Sequence, residues 1–379
     1  MNRISVMKPW LGAAESDAVA EVIASGWVAQ GPKTAAFEQA FAEHQGVAHA
    51  VATSSCTTAL QLALIVAGVT EGDDVVVPSF SFIATANAPV YLGARPVFAD
   101  VDVETGNVTA ETIAVALTPA TRAIIAVDQG GMPLDLAPLR ALCDERGIAL
   151  IEDAACGAGS TYRDAPVGVG ADISAWSFHP RKLLTTGEGG MLTTNSKEWA
   201  DRARRLREHS MDVSAAERHG SLLAPQESYS EVGYNFRMTD LQAAMGLVQL
   251  GKLDVMVQRR RGLADRYRSE LIDVPGLRCA QDPGYGTSNY QSFWIEVLPE
   301  FPMGREQLLE KLATDEISAR RGIMAAHRQP AYTGHSGQMV QLPVTERLTD
   351  NTLILPLYHD LSPADQDRVV DSIRAAGGV

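Results

Sequence analysis

Ile173-Ser-Ala-Trp-Ser-Phe-His-Pro-Arg-Lys182, continuing through Leu183-Leu-Thr-Thr-Gly-Glu-Gly-Gly190 into Met191-Leu-Thr-Thr194, decides how the rest of the chain reads. Ile173 to Phe178 is an apolar run of strand length, the glycines between 187 and 190 bracket a turn, and Met191 to Thr194 reads as a second buried strand. Lys182 therefore falls in a connection between buried strands. Most lysines are solvated surface groups. Desolvation here is expected to lower the pKa of Lys182, favouring the neutral amine that attacks an aldehyde and later moves a proton. A surface lysine in an ordinary loop is the competing reading of the segment by itself.

The same pattern extends to either side. From about residue 50 to 250, short apolar runs alternate with helical patterns: Asp74-Val-Val-Val77, Arg95-Pro-Val-Phe98, Ala123-Ile-Ile-Ala-Val127 and Ala149-Leu-Ile151 precede the lysine segment. This alternation predicts an α/β protein with a mainly parallel sheet covered by helices, whose ligands bind at the carboxyl ends of the strands. Asp240 to about Leu271 reads as one long helical region connecting two units. Residues 1–250 are expected to form a large cofactor-binding domain with an amino-terminal arm over 1–30. Residues 251–379 are expected to form a smaller α+β domain, with a strand at 291–297, a helix at 305–312, a strand at 352–355 and a final helix at 363–375.

Composition excludes several classes of function. The 379 residues are 46% hydrophobic, enough for substantial cores. Thirty-two basic against 46 acidic residues give a net charge of −14 with no long basic run, which disfavours nucleic acid as a partner and points to small molecules. The amino terminus lacks the apolar segment of a signal peptide and no run reaches membrane-spanning length, so a cytoplasmic protein with no membrane partner is expected. Cys56, Cys143, Cys156 and Cys279 are widely spaced without a metal-ligand pattern, so reduced thiols are expected and no metal.

Four further stretches carry chemistry. Asp153 ends Ala149-Leu-Ile-Glu-Asp153 and is followed by the small residues Ala154, Ala155, Cys156 and Gly157, which let a planar ring approach the backbone. An aspartate paired with a pyridinium nitrogen keeps it protonated, so the ring absorbs electrons released from a carbon acid. With Lys182 placed 29 residues later, this makes pyridoxal phosphate the leading cofactor; a helix-capping aspartate is the plainer alternative. Thr53-Ser-Ser-Cys-Thr-Thr58 before Ala59-Leu-Gln-Leu-Ala-Leu64 places hydroxyls and free amides at a helix start, a phosphate cradle to which Ser177 can add a hydroxyl; simple capping competes. Pro78-Ser-Phe-Ser-Phe82 follows a strand end and offers an aromatic to a ring face, or to the core. In Gly233-Tyr-Asn-Phe-Arg237, Asn235 or Arg237 can reach an anion.

Taken together, these segments resemble the DegT/DnrJ/StrS family of pyridoxal-phosphate sugar aminotransferases. Gly26-Trp-Val-Ala-Gln-Gly-Pro32 with Phe37-Glu38, Ser55-Cys-Thr-Thr-Ala-Leu60, Pro78 to Asn87, Glu152-Asp-Ala-Ala155, Ser177 to Gly190, Asn235-Phe-Arg237 and His327 follow the family's order and approximate spacing. The resemblance implies the fold type I architecture with a seven-stranded sheet, and a homodimer with active sites at the subunit interface. It implies Lys182 as the Schiff-base lysine, Asp153 as partner of the ring nitrogen, and Phe82 as the stacking aromatic. Cys56, Thr57 and Ser177 would hold the phosphate within the subunit, and Asn235 would reach it across the interface. Trp27, Arg237, Arg320 and His327 are the expected substrate contacts. The implied reaction is a two-stage transfer. An amino acid, most often glutamate in the family, leaves its nitrogen on the cofactor as pyridoxamine phosphate, and a keto sugar, commonly nucleotide-linked, collects it.

Some positions depart from the family pattern. Asp128 stands where many relatives carry histidine, and Cys156 replaces the more usual histidine or glutamine three residues after the aspartate. Ser318 to His327 replaces a tyrosine- and proline-rich approach, with Arg320 and Arg321 as anion ligands or plain surface charges. Other readings are a cyclitol or non-sugar ketone as acceptor, a sugar dehydratase, which in this family carries histidine at the lysine position, and a non-catalytic cofactor-binding regulator.

Overall fold

In the computed structural model, which describes residues 2–213, 226–333 and 340–379, the apolar runs form two main sheets with separate cores. The larger sheet takes β1 (His49–Thr53), β2 (Asp74–Pro78), β3 (Arg95–Ala99), β4 (Thr121–Val127) and β5 (Ala149–Asp153). After a small hairpin of β6 (Thr161–Tyr162) and β7 (Ala165–Pro166) it adds β8 (Ile173–Ser177) and β9 (Gly190–Thr194). The order across the sheet is β1-β9-β8-β5-β4-β2-β3. β2 pairs in parallel with β3 and β4, β4 with β5, and β5 with β8, while β9 alone runs against its neighbours β8 and β1. This is the seven-stranded, mainly parallel α/β sheet that the alternation and the resemblance imply.

The central strands read as unbroken apolar runs because helices cover both faces. Val75, Val77, Ile125 and Ile151 pack with Leu60 and Leu64 of the helix Cys56–Val66. The alternate residues Val76, Ile124 and Leu150 pack with Leu139 and Cys143 of the helix Leu136–Arg146. Each such aliphatic side chain contributes about 1.5–3 kcal/mol when fully buried. β1 was not legible as a strand: His49-Ala-Val-Ala-Thr53 has little β-branched mass, and its place is set by pairing with β9.

The region from 240 to 271 is two helices, Asp240–Leu250 and Leu253–Leu271, not the single one expected. The break falls at Gly251 and Lys252, where a poor helix former follows the last buried leucine of the first helix. Beyond it, β10 (Leu277–Cys279), β11 (Gly286–Thr287), β12 (Phe293–Val297), β13 (Arg320–Arg321) and β14 (Thr352–Leu355) follow. β11 joins the β6–β7 hairpin, and the others form an antiparallel sheet in the order β10-β12-β14-β13. Helices Arg305–Thr314 and Pro363–Gly377 bury Leu308, Leu312, Val369 and Ile373 with Phe293, Ile295 and Leu355 of this sheet. The amino-terminal arm, expected with the large unit, sends its first residues here: Ile4 bonds the backbones of Glu316 and Ser318, and Leu357 donates to Val6. No described helix is long and apolar enough to cross a membrane.

Candidate active site

The ends of β2, β5 and β8 and the start of β9 bring the singled-out residues to one edge of the large sheet. Asp153 closes β5 and is 4% exposed. Its Oδ2 accepts from the Thr85 hydroxyl at 2.8 Å and its Oδ1 from the Ala155 N–H at 3.2 Å, with the Cys56 thiol 3.9 Å from Oδ1. Burial raises the pKa of Asp153, and the Thr85 and Ala155 hydrogen bonds and the Lys182 charge oppose that rise. A cation placed against the carboxylate would complete its ionisation.

Lys182 lies in the loop between β8 and β9, its N–H donating to the His179 carbonyl at 2.8 Å and its Nζ to the Cys156 sulfur at 3.0 Å. Here the structure corrects the expected pKa. Burial does pull the ammonium down, but Cys156, Cys56 and Asp153 together outweigh it, and the pKa of Lys182 stands above its ordinary value. The lysine of the cofactor-free protein is therefore a charged group among thiols rather than a free amine. The four cysteines are unpaired, and burial, followed by the Asp153 charge, pushes the Cys56 thiol well up.

The helix Cys56–Val66 starts at this edge, capped by Ser55, whose side chain accepts from the Thr58 N–H at 3.2 Å. The N–H groups of Cys56 and Thr57 precede the helix's own bonding ladder and stay available to an anion. Gly190 opens β9 against them: a Cβ there would lie 2.4 Å from the Ser55 carbonyl carbon and 2.5 Å from the Cys56 nitrogen. Ser177, at the end of β8, accepts through its hydroxyl from the His179 N–H at 3.4 Å. Phe82 heads the helix Ile83–Val90 and is 70% exposed, while its neighbour Phe80 is buried. A bare phenylalanine, a paired buried aspartate, a lysine and a helix start fit a flat phosphate-bearing ring such as pyridoxal phosphate. Among the described residues no cluster suits a metal ion.

The other expected residues are placed as follows. Asn235 is exposed, in a segment whose neighbour Phe236 accepts from the Ser54 N–H at 2.8 Å, beside the phosphate cradle. Arg237 follows it, partly exposed. Trp27 folds over Gly31 with its indole N–H donating to the Gln30 carbonyl at 3.0 Å, lining a cleft of about 500 Å³ with Arg205 and Glu208. That turn is fixed by buried Asp240, which accepts from the N–H groups of Gly31, Lys33 and Thr34 at 2.8–2.9 Å. Arg320 is exposed on β13, and after burial the charge of Arg181 is what lowers its pKa, so the two cations lie within electrostatic reach beside Lys182. His327 has both ring nitrogens on protein partners, Nδ1 at 2.6 Å from the Ser79 hydroxyl and Nε2 at 3.3 Å from Glu346. Burial, opposed by Glu346, lowers its pKa. The histidine thus fastens the second unit to the loop that presents Phe82.

Two contributors escaped the sequence reading. Thr85 lay inside the Pro78 to Asn87 motif, but nothing in its spacing marked a hydroxyl aimed at Asp153. Glu152 was read as part of a strand. In the fold it is buried beside Asp128, one oxygen of each carboxyl is without a hydrogen-bond partner, and a Cβ on Gly157 would sit 2.7 Å from Asp128 Oδ2. Burial pushes both acids up; Glu152 drives Asp128 further, while hydrogen bonds from Asp128 and Gly168 hold Glu152 to about 7, so the pair holds a proton at neutral pH.

The chain is similar to known proteins along nearly all its length. A family model described as the DegT/DnrJ/EryC1/StrS aminotransferase family matches residues 9–374. A dTDP-4-dehydro-2,3,6-trideoxy-D-glucose 4-aminotransferase of Saccharopolyspora spinosa is 37% identical over 98% of this chain and 96% of its own. Among solved structures, the aminotransferase TlmJ of Streptoalloteichus hindustanus superposes with a TM-score of 0.91 at 39% identity, covering 98% of both chains. DesV of S. venezuelae, in complex with a ketimine intermediate, does so with 0.91 at 31% over the whole of both. A fold type I sheet, a lysine and aspartate at its strand ends and a family match from residue 9 to 374 lead to one assignment: the chain belongs to the DegT/DnrJ/EryC1/StrS aminotransferase family.

Proposed function

We propose that the chain uses pyridoxal phosphate to move an amino group from L-glutamate to a nucleotide-linked keto sugar, working as a homodimer with shared active sites. The observation that carries the chemistry is the convergence of Asp153 and Lys182 beside the open start of the helix Cys56–Val66. The cofactor, when bound, supplies an electron-poor ring and an aldehyde carbon that exchanges amines. Asp153, oriented by Thr85 and Ala155, would hold a proton on the ring nitrogen. Lys182 Nζ would take the proton from the donor's α carbon as general base and give it up again as general acid. Cys56, Thr57 and Ser177 would hold the phosphate, Phe82 would cover one ring face, and Asn235 would reach the phosphate of a second copy. Arg320 and Arg237 would meet an anionic substrate group, and Trp27 the sugar or base. His327 braces the Phe82 loop through Ser79.

The nucleotide-linked sugar is supported by the Saccharopolyspora relative, which acts on a dTDP-linked keto sugar and matches this chain from end to end. The test is transfer from ¹⁵N-glutamate to a dTDP-4-keto-6-deoxy sugar, to the same sugar without its nucleotide, and to a keto cyclitol, read by mass spectrometry. The reading predicts label in the nucleotide sugar alone or by a wide margin. Label in the cyclitol with none in the nucleotide sugar contradicts it.

A further inference from the structure

The segment Ser288–Ser292, just ahead of β12, has no part in the proposed chemistry, yet it grips both loops that carry it. Gln291 is 8% exposed and meets the backbone on either side of Lys182. Its Oε1 accepts from the Leu183 N–H at 2.9 Å and its Nε2 donates to the Arg181 carbonyl at 2.5 Å. Asn289, fully buried, donates through Nδ2 to the carbonyls of Cys156 and Ala158, each at 2.7 Å, on the loop that leaves Asp153. Its Oδ1 accepts from the Gln291 backbone N–H at 2.7 Å, which ties the Asn289 side chain to the backbone from which Gln291 projects.

The turn that aims them is itself held. Tyr290 between them has φ +48°, a left-handed conformation that a non-glycine residue keeps only when its surroundings fix it. Buried Arg260 does this, donating to the carbonyls of Tyr290, Gln291 and Leu357, each at 2.8 Å. Gly131, with φ +90°, leaves room for Asn289: a Cβ there would lie 1.9 Å from its Oδ1.

We propose that Gln291 is a positioning residue for Lys182, with Asn289 fixing the Cys156 loop in the same register, so that the second unit sets the reach of the lysine amine. The inference rests on the assignment of Lys182 as the proton carrier. A side-chain amide that spans both peptides flanking one residue fixes where that residue's side chain starts, and small misplacements of a catalytic group cost rate rather than binding.

The test compares wild type with Gln291→Leu, which removes both bonds, and Gln291→Glu, which keeps the size and the acceptor for Leu183 but loses the donor to Arg181. In the cofactor-free proteins, amide exchange at Leu183 is expected to be faster in Gln291→Leu and near wild type in Gln291→Glu. In the loaded proteins, the single-turnover loss of the lysine-bound visible band at saturating glutamate should slow by roughly 10–100-fold in Gln291→Leu and by less in Gln291→Glu, with half-saturation by glutamate changed less than about threefold. If Gln291→Leu does not fold, Gln291→Glu alone decides by the same rate. Wild-type rates in the folded variants, unchanged protection of Leu183, or a loss confined to glutamate half-saturation overturn the proposal. A wild type that forms no lysine-bound cofactor overturns the assignment of Lys182 instead, a result separate from the exchange data.

Discussion

Lys182 and Arg260 line the same small cavity, closed by Met7 to Trp10 and His359, with Arg260 buried and Lys182 half-buried. Their partners differ. Arg260 spreads its guanidinium over three backbone carbonyls, and although burial pulls its pKa down to about 9 it stays charged at neutral pH and serves the fold. Lys182 gives its ammonium one soft sulfur at 3.0 Å, and Cys156, Cys56 and Asp153 together hold its pKa above the ordinary value against burial. Burial by itself does not make a reactive group; a buried cation with few fixed acceptors does, because losing its proton strands little hydrogen bonding.

The largest effect that separates the two is expected from Lys182→Ala, which leaves the fold intact and lowers steady-state transamination by at least about 10²–10⁴-fold, the span of a general acid–base group. Retained turnover in a coupled glutamate assay would erase the distinction. Arg260→Met should do the opposite, acting on stability: three carbonyls lose their donor, at about 1–3 kcal/mol for each one left unsatisfied. Denaturant unfolding measures this, and an unchanged midpoint would mean that the three bonds contribute nothing net.

Cys156→Ala sharpens the comparison at the lysine itself. With the thiol gone, burial is opposed only by Cys56 and Asp153, so the pKa of Lys182 falls. The pH profile for capture of pyridoxal phosphate by the apoprotein then moves to lower pH, with faster capture at neutral pH; a profile that stays in place denies Cys156 its part. The smallest effect is expected at Asp128→Asn. Asp128 has a raised pKa in the fold, so wild type loses stability as pH rises from the unfolded aspartate value toward the folded one. The variant lacks that loss, and its thermal midpoint relative to wild type should climb as pH rises above the unfolded aspartate value of about 4. A difference independent of pH would show that Asp128 does not hold the shared proton.

Much of this was legible from sequence for identifiable reasons. The central strands announced themselves because burial on both faces demands unbroken Val, Ile and Leu, and Lys182 stood out because its glycine-bracketed loop had to lie between such strands. β1 and the break at Gly251 did not, since one is placed by pairing with β9 and the other is a single glycine inside an otherwise helical pattern. At the site, residue types gave Asp153 and Lys182, but what sets the charge of Lys182 is a contact across 26 residues of chain, and what orients Asp153 is Thr85, 68 residues away. Gln291 and Asn289 act from beyond the connecting helices, at a range that local pattern does not reach.

The central claim is that Lys182, alone among the described lysines, exchanges its amine with the cofactor and then passes the donor's proton. Its most direct test is the absorbance spectrum of the protein loaded with pyridoxal phosphate, before and after glutamate, for wild type and Lys182→Ala. The account predicts that wild type shows a visible band from lysine-bound cofactor that glutamate bleaches to the near-ultraviolet pyridoxamine form, and that Lys182→Ala shows no such lysine-bound band. An identical glutamate-sensitive band in the variant, or none in wild type, would contradict it.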